Sequence, residues 1–194
     1  MEAIYYVILA AGASTRMGFP KAVAPLAGIT PIARLCATLG GRRAAVVTTS
    51  ELHDACSREA PGALVLVNER PQSGMSSSLR VADSAIDSAA TIAVLLADKP
   101  LLSRETLERC EQRLASTAAD VLYVRSSRGV PGHPVYFRPA ARSRLGAAPS
   151  GDSLAAVRDD PALACEVVAT DDPGAFEDLD SPGDWRRAER SESR

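Results

Sequence analysis

The stretch LAAGASTRMGFPK, Leu9 to Lys21, sets small residues and two cations directly after an apolar run. Small residues let a backbone turn tightly and bring its N–H groups close to a ligand, and Arg16 and Lys21 add fixed positive charge. Together they suit a triphosphate. The candidate contacts are Leu9, Ala10, Ala11, Gly12, Ser14, Arg16 and Lys21. A plain strand-to-helix connection is the simpler alternative. Spacing excludes two other phosphate loops. GxxxxGK[ST] is absent, and Gly12, Ala13 and Ser14 break GxGxxG, so a Rossmann oxidoreductase does not fit. A second candidate, Asp98, closes the aliphatic run Ile92 to Ala97, at the strand edge where ligands bind in open α/β sheets. A carboxylate so near a core needs a partner. Magnesium takes oxygen ligands and bridges carboxylates to substrate phosphates. Otherwise Asp98 caps a turn or pairs with Lys99, a poor partner because neighbours on a strand face opposite ways.

The elements that must position these groups follow from alternating apolar and helix-like stretches, the pattern of a mostly parallel sheet covered on both faces. Strands are expected over Ile4–Ala10, Ala44–Thr49, Leu64–Asn68, Thr91–Ala97, Val121–Val124, Pro134–Phe137 and Glu166–Ala169. Helices are expected over Pro31–Leu39 and over Ser76–Ala89, where Leu79, Ala82, Ile86 and Ala89 recur near helical period. A third runs from a Ser103 cap to about Ala115. A last helix begins at Ser181, Pro182 and Asp184 and carries Trp185. Arg125 to Pro134, rich in Gly, Pro, Ser and Arg, reads as a long loop. The expected fold is a three-layer α/β/α, Rossmann-like, mostly parallel sheet with an antiparallel strand near its edge.

A chain of 194 residues, 46% hydrophobic and 24% charged, suits one domain. A net charge of -2 gives no diffuse basic field, so neither nucleic acid nor a membrane surface is an expected partner. The run Ile4 to Ala11 is too short to cross a bilayer and lacks the basic start of a secretion signal, which points to the cytoplasm. Cys36, Cys56, Cys110 and Cys165 are scattered without a CxxC pair and read as buried, reduced thiols.

Along nearly its whole length the sequence resembles the MobA-like NTP transferases, which include the molybdopterin guanylyl- and cytidylyltransferases. The carriers are the loop spacing of Arg16, Met17, Gly18, Pro20 and Lys21, with Leu26 and Gly28 after it. Three further segments match: Gly74 to Arg80, Leu96-Ala97-Asp98-Lys99-Pro100 and Gly132-His133-Pro134-Val135. The last is Asp178-Leu179-Asp180-Ser181-Pro182. The resemblance implies a nucleotide-diphospho-sugar transferase type of fold, with residues 1–190 as a single nucleotidyltransferase domain and 191–194 as a frayed tail. It implies a nucleotide site that also includes Asn68 and Ser78, and an acceptor site that includes His133. It implies Mg2+ on Asp98 and on Asp180, with Asp178 the neighbour most easily mistaken for it and a helix-dipole role the alternative. His133 otherwise reads as a plain exposed loop histidine.

The reaction so implied transfers a nucleotidyl group from a nucleoside triphosphate to a phosphorylated small-molecule acceptor, molybdopterin or a relative, and releases pyrophosphate. A phosphate nucleophile is anionic already and needs no base. That agrees with a sequence holding only His53 and His133 and no GxSxG serine. Positioning and charge neutralisation by Arg16, Lys21 and Asp98 with its metal are then the catalytic means. The LAAG start and Gly-His-Pro segment are closer to the cytidylyl branch, which favours CTP. The alternatives are a guanylyltransferase, transfer to another phosphorylated acceptor, or a non-catalytic nucleotide-binding protein. A molybdoenzyme or chaperone would be the macromolecular partner. The chain departs from the family pattern at Pro71, Lys99, Leu154 and Ala156, which bears on base choice and acceptor.

Overall fold

The computed structural model describes residues 3–145 and 153–192. Seven strands form one sheet: β1 (Ile4–Leu9), β2 (Ala44–Thr48), β3 (Leu64–Val67), β4 (Thr91–Leu96), β5 (Val121–Arg125), β6 (Pro131–Phe137) and β7 (Cys165–Ala169). Their order is β3-β2-β1-β4-β6-β5-β7. Strands β1 to β4 run parallel, as do β5 and β7, whereas β6 is antiparallel to both β4 and β5. The antiparallel strand therefore lies inside the sheet rather than near its edge. The expected loop from Arg125 to Pro134 is a tight hairpin instead. Ser126 and Val130 close it through a backbone bond of 2.9 Å, and β6 begins at Pro131. Prolines at 131 and 134 disguised this strand, since proline cannot donate to a ladder. The ladder with β4 indeed covers only Val135 to Phe137, and the pairing with β5 shifts register at Tyr123 and Val124.

The period of two sorts each strand between two cores. On one face Tyr6, Ile8, Val46 and Leu95 pack against α1 (Pro31–Leu39), α2 (His53–Glu59) and α4 (Arg104–Ser116). On the other, Val7, Val47, Val94 and Phe137 meet α3 (Met75–Ala85), α5 (Pro139–Leu145) and α6 (Ser153–Arg158). A third cluster joins Met17 and Leu26 to Leu179 and to Trp185 and Ala188 of α7 (Pro182–Glu192). The helix α7 runs past residue 191, into the expected frayed tail; residues 193 and 194 lie outside the described residues. Helices α5 and α6, of seven and six residues, were not expected.

Caps fix the helix ends. Thr30 accepts from the Ala33 N–H at 3.2 Å, Ser103 from Thr106 at 3.2 Å, and Ser181 from Asp184 at 3.2 Å. Ser181 N–H returns the bond to the Asp184 carboxylate at 2.8 Å, which closes a capping box. Arg142, 2% exposed, donates to the carbonyls of Asp83, Ile86 and Ala90 and ties the end of α3 to α5. The four thiols are free; Cys56 and Cys110 are buried, Cys36 is half-buried, and Cys165 is exposed, contrary to expectation. No described helix is long and apolar enough to cross a membrane.

Candidate active site

The loop after β1 and the turn after β4 meet at the C-terminal edge of the sheet. Ser14 holds the first in shape. Its φ is 48°, in the left-handed region that a residue with a Cβ enters only at some cost, and its Oγ accepts from the Lys21 N–H at 3.3 Å. Phe19 anchors the outer part of the loop by an edge-to-face contact with Trp185, with ring centroids 5.4 Å apart.

So held, Lys21 aims inward. Its Nζ donates to Asp98 Oδ2 at 3.1 Å and to Asp180 Oδ1 at 2.5 Å. Burial pulls the ammonium's pKa down, but the bonds and charges of Asp180 and Asp98 outweigh it, and the net direction is upward. The Asp180 carboxyl is held below its ordinary value, chiefly by the Lys21 hydrogen bond. Arg16, whose side chain is 75% exposed, reaches the other Asp180 oxygen at 2.8 Å. Asp98, Asp180, Lys21 and Arg16 thus share one cluster. Asp178 does not join it: its carboxylate takes Lys99 Nζ at 2.7 Å, and that ammonium also donates to the Phe176 carbonyl at 2.7 Å. Lys99 is no partner of Asp98.

One oxygen of the cluster stands apart. Asp98 Oδ1 is buried and has no hydrogen-bond partner. Such a carboxylate oxygen is costly unless a ligand completes it. Two carboxylates, one with a spare oxygen, fit Mg2+, which binds through one or two carboxylates plus substrate phosphates. Among the described residues no group of three or more His, Cys, Asp or Glu could hold a metal. The remaining ligands would have to come from substrate and water.

A cavity of 240 Å3 lies against Asp98, lined by Leu9, Ala11, Gly12, Gly74, Ser78 and others. Ala10 is different: it packs in the core and its N–H is spent on the Val47 carbonyl at 2.8 Å. Asn68 sits behind the cavity wall. Its amide donates to Ser77 at 2.8 Å and Ser78 at 2.9 Å, and its oxygen accepts from the Arg70 N–H, so it braces the start of α3. Pro71, Met75 and Leu96 also line the cavity. The sequence marks Pro71 as a departure and places Met75 and Leu96 inside matching segments, but assigns none of them to the nucleotide site.

A second cavity, of 470 Å3, shares Met75 and Leu96 with the first and is lined by Lys99, His133, Leu154 and Asp178. His133 is not on an exposed loop. It belongs to β6, its Nδ1 lies 3.2 Å from the Val94 carbonyl oxygen, and burial above all lowers its pKa to about 4. Gly132 lets β6 pass close by: a Cβ there would meet the Ala175 carbonyl oxygen at 2.5 Å. Of the departures, Leu154 is buried against this cavity and Ala156 is exposed.

The arrangement sets a Gly-rich loop, two cations and two carboxylates beside one cavity, with a second cavity adjoining it. Residues 6–164 match the MobA-like NTP transferase domain. The chain is 31% identical over 188 residues to nicotine blue oxidoreductase of Paenarthrobacter nicotinovorans, covering 90% of this chain and 91% of that protein. It superposes on the crystal structure of Rv0371c from Mycobacterium tuberculosis with a TM-score of 0.79 at 27% identity, over 98% of this chain and 100% of that one. Rv0371c has also been solved in complex with manganese. The fold is shared with molybdopterin-guanine dinucleotide biosynthesis protein A of Archaeoglobus fulgidus, at a TM-score of 0.76 and 18% identity, over 97% of this chain and 98% of that one.

Proposed function

This chain belongs to the MobA-like NTP transferase family and is a nucleotidyltransferase, and on that premise we propose that it transfers the nucleotidyl group of CTP, with magnesium, to a phosphorylated acceptor of molybdopterin type. The observation that carries the reading is the convergence of Lys21, Asp98 and Asp180 beside a Gly-rich cavity, with Asp98 Oδ1 left without a partner. An oxygen of the acceptor's phosphate attacks the α-phosphorus in line. The new P–O bond forms as the bond to the bridging oxygen breaks, and pyrophosphate leaves with the electron pair. Lys21 and Arg16 neutralise triphosphate charge, while the loop N–H groups orient it. Asp98 and Asp180 hold the magnesium, which supplies charge stabilisation to the phosphates when bound. No group is asked to remove a proton.

Asp180, rather than Asp178, is the second ligand in this reading, because it shares an ammonium with Asp98 whereas Asp178 is committed to Lys99. The manganese complex of Rv0371c supports divalent-metal use in a relative. The test is pyrophosphate release by the purified protein with magnesium and molybdopterin, comparing CTP, GTP, ATP and UTP. Release with CTP alone supports the reading, and a GTP preference moves the chain to guanylyl transfer. Triphosphate binding without release on any acceptor contradicts catalysis. The name of the Paenarthrobacter relative places another chemistry on a similar chain. Reduction of nicotine blue by this protein with an added hydride donor of the reduced-nicotinamide class, the donor being oxidised in step and no pyrophosphate released, would favour that second reading.

A further inference from the structure

The second cavity has a polar lining whose directions are fixed by bonds already made. The Val94 carbonyl can only accept, so Nδ1 of His133, 3.2 Å away, carries a proton. The carbonyl takes this ring N–H where the β4–β6 ladder stops, at Val94 and Val135; the next residue, Pro134, has no N–H to offer. A second ring proton is opposed by burial and by the Lys99 ammonium, which together outweigh the Val94 hydrogen bond and the Asp98 and Asp178 carboxylates, and the pKa is lowered to about 4. At neutral pH the ring is uncharged, and Nε2 is a bare lone pair that no described residue meets. On the opposite wall Lys99 spends two of its three N–H bonds on Asp178 and the Phe176 carbonyl.

We infer that the molecule filling this cavity presents a hydrogen-bond donor, a hydroxyl or a ring N–H, to Nε2 of His133, and an anionic or carbonyl oxygen to the Lys99 ammonium. The inference deepens the nucleotidyl-transfer reading and rests on it. It assigns His133 the selection and orientation of the acceptor, not its phosphate, because an uncharged ring cannot neutralise a phosphate. Nor does it make His133 a general base, since so weak a base draws little proton density from a hydroxyl at neutral pH. An acceptor lacking the donor would leave a lone pair buried without a partner, and would bind about ten- to a hundredfold more weakly.

Two measurements test this. In the wild-type protein labelled with 15N-histidine, the nitrogen spectrum at pH 7 is expected to show His133 protonated at Nδ1 and bare at Nε2. A proton on Nε2 overturns the inference whatever the activity. In turnover with CTP and molybdopterin, His133→Asn keeps an amide donor for the Val94 carbonyl but leaves the Nε2 position empty. His133→Gln carries an amide oxygen towards that position. The Asn variant is expected to raise the KM for molybdopterin about ten- to a hundredfold with the KM for CTP unchanged, and the Gln variant to recover most of the loss. A wild-type KM in His133→Asn, or equal losses in both variants, contradicts the assignment. Wild-type protein that releases no pyrophosphate with molybdopterin counts against the underlying reading instead, and the tautomer measurement still decides the state of His133.

Discussion

The two ends of the sheet each carry an ion-pair cluster, and they differ in how completely it is closed. At the N-terminal edge Arg42 grips both oxygens of Glu111, at 2.6 and 2.8 Å, and the Tyr6 hydroxyl adds a further bond to that carboxylate. The Glu111 carboxyl is held below its ordinary value, chiefly by Arg42. Beside it lies a cavity of 670 Å3, larger than either cavity at the opposite edge. At the C-terminal edge Lys21 bridges Asp98 and Asp180 but leaves Asp98 Oδ1 buried and without a partner. Volume and the open carboxylate therefore point to opposite ends. Between the two ion-pair clusters the difference lies in the open carboxylate oxygen, because a closed pair has already offset its desolvation cost and an open one has not.

Substitutions sharpen this contrast. The largest effect is expected from Asp98→Asn, which should lower metal-dependent pyrophosphate release by about a thousandfold with the fold retained by circular dichroism. Acid unfolding should come next. The His133 value of about 4 lies below the ordinary 6.5, so the neutral ring's stabilisation is complete above about pH 6.5 and is lost as pH falls through 4. That amounts to about 3 kcal/mol. Burial is the main cause of the depression and Lys99 adds to it, whereas the Val94 hydrogen bond, Asp98 and Asp178 oppose it. Glu111 and Asp180, both depressed, lose their contributions only below the ordinary carboxylate range. Urea titrations from pH 7 to 4 should therefore show a slope that His133→Asn removes, and a retained slope would place its origin elsewhere.

Lys21→Ala should weaken triphosphate binding about ten- to a hundredfold, read by calorimetry; unchanged affinity would remove the loop from the site. At the other edge Glu111→Gln should cost about 1–3 kcal/mol of stability, while turnover stays within about twofold. A large loss of turnover in a stably folded Glu111→Gln protein would break the contrast between the two ends.

Much of this was legible in the chain. The parallel strands were, because they read as aliphatic runs, as was the Pro134–Phe137 half of β6, and the caps Ser103 and Ser181 marked their helices. The Gly-rich loop and Asp98 were legible because they directly follow such runs. The hairpin into β6 was not, since its prolines fill positions where the ladder with β4 is absent. The pairing of Lys99 with Asp178, and of Lys21 with Asp180, spans about eighty residues or more and depends on the path of the chain from Asp172 to Asp180. That path is set by Asp172, which accepts from Ser103, Thr106 and Gly174. No local pattern could order the two aspartates. Nor could it assign Asn68 and Ala10 to bracing and core packing, because small and polar residues near a cavity read alike whichever way they point.

The central claim is that the open oxygen of Asp98 marks the metal position of a triphosphate site, and calorimetric titration of CTP with and without magnesium tests it most directly. Wild-type protein should bind CTP more tightly with magnesium, whereas Asp98→Asn should keep the metal-free affinity and lose the gain. An equal magnesium gain in both proteins would contradict the account.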